Sequence, residues 1–132
     1  MGFGHRKAIN HLTYEIKLPQ FEGPFDLLLF FIERDELDIY DIPISKITDD
    51  FLEYLHHLQQ MNIEVASEFI LVAATLMRIK AKMLLPRKEL DEEGNEIDPR
   101  QELVERLIEY KRYKSVIDDF KQLEAIRQSM VP

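Results

Sequence analysis

From Asn62 to Pro86 the apolar positions fall into two parallel rows. Val65, Phe69, Val72, Leu76, Ile79 and Met83 repeat at 4-3-4-3-4, the spacing of a helical seam. Ala66, Ile70, Ala73, Met77 and Leu84 make a second row beside it, broken by Lys80. The polar stripe is narrow: Glu64, Glu68, Leu71, Thr75, Arg78 and Lys82. Asn62 is suited to cap such a helix and Pro86 to stop it, with neither Gly nor Pro in the 23 residues between them. An ordinary surface helix buries one stripe. This one asks for cover over nearly two thirds of its circumference. Either its own domain surrounds it, or one row packs at home while the other receives a helix from a partner.

The flanking segments repeat the helical pattern with less apolar surface. Thr13 to Leu18 alternates, Tyr14, Ile16 and Leu18 against Thr13, Glu15 and Lys17, which predicts one short half-buried strand. That strand either docks on the helices or pairs with another chain through its free edge. Pro24 opens a helix running to Glu33, with Phe25, Leu28, Leu29 and Ile32 on one face. After the loop from Asp35 to Ile42, Pro43 opens an amphipathic helix in which Ile44, Ile47, Phe51, Tyr54, Leu58 and Met61 repeat 3-4-3-4-3. Its opposite face carries Lys46, Asp49, Asp50, Glu53, His56 and Gln60.

Beyond Pro86 the composition changes. Glu89 to Asp98 holds six acids and no base around the turn Gly94-Asn95, a solvated linker. Asp98 then caps a further helix, with Pro99 at its start and Gln101 placed for a capping box. It runs unbroken to about residue 128, and its row Leu103, Leu107 and Tyr110 slips to Tyr113, Val116, Ile117, Phe120 and Leu123. The slip implies two successive contacts or a break near Lys114, and the acidic linker disfavours folding this arm back. The expected class is all-α: a leader at 1–12, a three-helix domain with the short strand at 13–86, the acidic linker at 87–97 and a helical arm at 98–132.

Composition narrows the function. Hydrophobic residues are 45% and charged ones 32% of 132, a globular balance. There is no cysteine, hence no disulfide or thiolate metal site, which fits a cytoplasmic location. No uncharged apolar run is long enough to span a membrane, and no export signal opens the chain. A formal net charge of −8 repels a phosphate backbone. His56 and His57 are adjacent and so point to different parts of a helix, unlike an i, i+4 metal pair. The glycines are too scattered to cradle a phosphate, no serine sits in a nucleophile elbow, and the acids lie on exposed faces. These residues imply no enzyme, cofactor or metal. The run from Tyr110 to Lys114 interleaves aromatics and bases, but Glu105, Glu109, Asp118 and Asp119 surround it. The first two helices mimic a helix-turn-helix, yet Asp49, Asp50 and Glu53 give the second one the wrong sign for a major groove.

Three long words carry a family resemblance. FEGPFDLLLFFIERDELDIYDIPISKIT (Phe21 to Thr48), ASEFILVAATLMRIKAKMLLP (Ala66 to Pro86) and DPRQELVERLIEYKRYK (Asp98 to Lys114) resemble segregation and condensation protein A, the bacterial kleisin, over about residues 13–128. The resemblance implies a non-catalytic bridge, nucleoid-associated, in a condensin-like complex with an SMC ATPase and segregation and condensation protein B. It touches DNA only through that complex. The family's N-terminal domain joins the coiled-coil neck beside one ATPase head. Its middle segment wraps on the dimer of protein B, and its C-terminal winged-helix domain caps the other head. Carried onto this chain, the resemblance implies neck binding by Val65, Phe69, Val72, Leu76, Ile79 and Met83. It implies contact with protein B through Leu103, Leu107, Tyr110 and Tyr113. Residues 1–11 fall outside the family pattern and are expected to be a leader or vector-derived. The winged-helix domain is expected to be absent, as the chain stops at Pro132. Two alternatives remain at this stage: direct DNA binding by the helical domain, and self-association through a free apolar row.

Overall fold

The computed structural model describes residues 21–130, so the expected leader and the Thr13–Leu18 strand lie outside what it describes. Four helices follow in order: α1 (Pro24–Arg34), α2 (Ile44–Gln60), α3 (Ser67–Met83) and α4 (Gln101–Met130). Among the described residues the only β feature is an isolated antiparallel bridge between Leu90 and Glu96, and the all-α class stands.

Local chemistry sets the ends. Pro24 occupies the first turn of α1, where its missing N–H is no loss, and the Asp26 carboxylate accepts the Glu22 N–H at 3.1 Å. At the other end Glu36 turns left-handed (φ 52°). The Leu37 N–H then donates to Ile32 O at 2.8 Å and the Glu36 N–H to Glu33 O at 3.2 Å, the two bonds of a Schellman closure. α2 ends the same way. Asn62 adopts φ 58°, Ile63 N–H donates to Leu58 O at 2.9 Å and Asn62 N–H to Gln59 O at 3.0 Å. Asn62, expected to open the third helix, therefore closes the second, and α3 begins at Ser67. Asparagine suits both jobs, because it caps N-termini and tolerates the left-handed region.

The hub of the fold is α1 rather than the long apolar α3. Every other helix packs on α1, while α2 and α3 also pair with each other. Leu27, Leu28, Leu29, Phe31 and Ile32 of α1 meet Ile44, Ile47, Phe51 and Leu55 of α2, Ala73, Leu76 and Ile79 of α3, and Leu103 and Leu107 of α4, with Ile42 from the intervening loop. Phe51 and Phe69 stack at 6.3 Å between α2 and α3.

The last helix does fold back, contrary to the expectation of a free arm. The acidic linker closes on itself without strain. Asp91 accepts the N–H groups of Glu93 and Asn95 at 2.9 Å each, Gly94 supplies φ 86°, and Ile97 N–H donates to Glu89 O at 2.9 Å. Asp98 accepts the Arg100 N–H at 2.9 Å, the capping bond its position implied. Arg100 then donates to Asp41 and to Ile42 O, both at 2.8 Å, tying the start of α4 to the loop beyond α1. Lys114, fourteen residues on, pairs with Asp26 at the start of α1, so the two helices run antiparallel.

Candidate protein-docking faces

The row expected to meet a neck is the inward one. Leu76 is 0% and Ile79 5% exposed, and Val65, Phe69, Val72 and Met83 pack partly buried against the same core. Leu76 and Ile79 belong to the chain's own interior, whereas the other four keep part of their surface open. Of the neighbouring row Ala73 is in the core, but Ile70, Met77 (52% exposed) and Leu84 stand in solvent, together with Leu71 and Leu85 and with Ala74 and Ala81. Ile70, Met77 and Leu84 are seven residues apart, so the exposed stripe keeps the heptad spacing that a supercoiled helix can match. Lys80, which breaks that row in sequence, leans toward α2 and pairs with Asp49 at 3.0 Å.

α4 divides into two halves with different partners. Leu103 and Leu107 are in the core. Tyr110 is half-buried, its ring 6.3 Å from that of Phe25 and its hydroxyl donating to Glu22 at 3.4 Å. Of the four residues expected to touch protein B, only Tyr113 is exposed. The helix continues without the break considered near Lys114. Val116, Phe120, Leu123 and Ile126 extend Tyr113 into an exposed apolar row. At about 100° per residue, Phe120 lies roughly 140° around the helix from Leu107. The slip in the sequence pattern is thus a change of side: one face grips α1, and the other points away from the domain.

Charge organises the rest of the surface. Lys46 reaches Asp35 at 2.6 Å and Asp50 at 2.8 Å, and Arg34 joins the same two carboxylates. Hydrogen bonds from Arg34 and then Lys46 hold the Asp35 carboxyl well below the usual carboxylate range. This network braces the α1–α2 loop. On α4, burial pushes the Tyr110 phenol up, and the Asp26 and Glu22 carboxylates add to it. The hydrogen bond to Asp26 raises Lys114. His56 is exposed and His57 half-buried. No group of three metal-ligating side chains occurs among the described residues, and none of their helices is long and apolar enough to cross a membrane.

Two helices of a small charged scaffold thus carry exposed apolar faces. The comparisons with known proteins place the chain further. The family model for segregation and condensation protein ScpA matches residues 31–132. Relatives named segregation and condensation protein A include one from Brevibacillus brevis, 49% identical over 90% of this chain and 50% of the relative. Another, from a Thermoanaerobacter species, is 54% identical over 83% of this chain and 46% of the relative. One from Caldanaerobacter subterraneus is 57% identical over 78% and 42%. The chain belongs to the segregation and condensation protein ScpA family, and it spans about half the length of the curated relatives it matches.

Proposed function

We propose that this chain is the head-proximal part of a non-catalytic kleisin subunit acting in chromosome condensation and segregation. The outer face of α3 receives the coiled-coil neck of an SMC ATPase. The distal half of α4 receives the dimer of segregation and condensation protein B. DNA is engaged through the assembled complex, in the cytoplasm at the nucleoid.

One observation carries the reading. α3 turns one apolar row toward the core and leaves the heptad-spaced Ile70, Met77 and Leu84 uncovered, and a coiled coil can accept such a row as an added strand. The two faces lie on different helices, and α4 packs on α1 rather than on α3, so both partners can be held at once. A mixing experiment by light-scattering chromatography tests this, with this chain, an SMC head carrying its neck, and protein B. Met77→Glu should abolish the neck complex alone, and Leu123→Glu the protein B complex alone. Retention of both complexes by both variants would refute the assignment.

A further inference from the structure

The uncovered face of α3 carries a single charge where it borders the polar stripe. Arg78 is exposed between Ala74, one turn earlier, and Ala81, less than one turn later. The three lysines near this end of the helix have partners: Lys80 pairs with Asp49 at 3.0 Å, Lys82 with Glu89 at 3.2 Å, and Lys88 donates to Met83 O at 3.1 Å; Arg87 lies beyond the helix, past Pro86. Arg78 has no partner among the described residues. Glu102, which lines the groove between α3 and α4 together with Arg78, is already engaged by Arg106 at 3.1 Å. The helix dipole does not account for Arg78 either. Lys80 and Lys82 occupy the last turn, whereas Arg78 lies before it, and the dipole's effect fades within that turn.

A helix laid over Ile70, Met77 and Leu84 would take this guanidinium out of water. An apolar partner offers nothing in exchange, and an unpaired buried charge opposes docking. The two alanines leave room beside it, so a side chain from the partner can come close. A planar guanidinium is suited to a carboxylate gripped by two parallel bonds.

We propose that Arg78 takes an Asp or Glu carboxylate from the docked helix and thereby fixes its register. This rests on the docking of a neck helix on α3 stated above. The apolar row by itself repeats every seven residues and tolerates a slip of one heptad, about 10 Å. A slip would set Arg78 against an apolar turn, as a buried polar residue selects one register in a coiled coil. The occupant is thus a helix with an aliphatic seam and one carboxylate at the seam's edge. A nucleic-acid phosphate does not fit a cation ringed by Leu71, Ala74, Ala81 and Leu85 on a chain of net charge −8.

The test is a charge swap. An SMC head with its neck is prepared as wild type and with each acidic residue of the neck changed singly to Lys, and binding to this chain is measured by calorimetry. Arg78→Glu should weaken wild-type binding roughly 30-fold with the thermal midpoint unchanged. One neck reversal should weaken the unaltered chain similarly and restore binding to Arg78→Glu. Wild-type affinity for Arg78→Glu, or no restoring reversal, overturns the register role. If Met77→Glu abolishes binding while Arg78→Glu does not, only the register role falls. If Met77→Glu also binds normally, or the unaltered chain does not bind, the docking face falls and the role of Arg78 with it.

Discussion

Leu107 gives the sharpest test of how α4 is held. It is 0% exposed, and among the described helices α1 is the one that α4 packs on most closely. Leu107→Ala removes three carbons. At about 0.8 kcal/mol per buried methylene the transfer loss is about 2.4 kcal/mol. The residual cavity brings the cost to about 3 kcal/mol, a large share of the ~5–15 kcal/mol that stabilises a domain. Leu103 and Tyr110 share the packing, Lys114 pairs with the buried Asp26, and the pair of Arg100 with the exposed Asp41 contributes about 1 kcal/mol or less. Urea unfolding followed by far-UV circular dichroism reads the loss. Amide exchange shows where it falls: residues 101–114 should lose protection before α1 does. Leu123→Ala is the control, because Leu123 is 62% exposed on the same helix and its truncation should stay within about 0.5 kcal/mol. A cost for Leu107→Ala below about 1 kcal/mol, or equal to that of Leu123→Ala, would refute the packing of α4 on α1.

Other outcomes follow from the same geometry. Glu36→Gly relieves a left-handed residue at φ 52° and should raise stability by about 0.5–1 kcal/mol; an unchanged or lower urea midpoint would mean that the turn carries no strain. The Tyr110 pKa is raised in the folded state, so its contribution is complete below the unfolded value of about 10 and disappears as pH rises through the folded one. Exchange protection at 101–114 should fall in that alkaline range, and Tyr110→Phe should flatten the fall. Asp35 shifts the other way. Its contribution is present above about pH 4 and is lost as pH drops toward the folded value, so Asp35→Asn should flatten the acid limb of a pH–stability curve.

Helix positions were legible because proline and the apolar period mark them. Pro24, Pro43, Pro86 and Pro99 stand at or beside the ends of the four helices. Which row of α3 faces inward was not legible from spacing, since both repeat at three and four. Lys80 was the available clue: a row holding a lysine is harder to bury than one of Val, Phe, Leu and Ile. Asn62 misled because its chemistry serves two opposite helix ends. The return of α4 was hidden by composition. Six acids in ten residues suggest an open linker, but the Asp91 carboxylate and Gly94 close a tight turn within it. The slip in the α4 row was a real signal, and it marks a change of side rather than a break.

In the proposed function the outer face of α3, not its inner row, meets the neck. A methyl NMR titration of this chain with an SMC head carrying its neck addresses it directly. Large shifts are expected at Ile70, Met77 and Leu84, with Leu76 and Ile79 nearly unmoved. Shifts centred on Leu76 and Ile79, with Ile70 and Met77 unchanged, would mean that the core opens to admit the partner and would contradict that assignment.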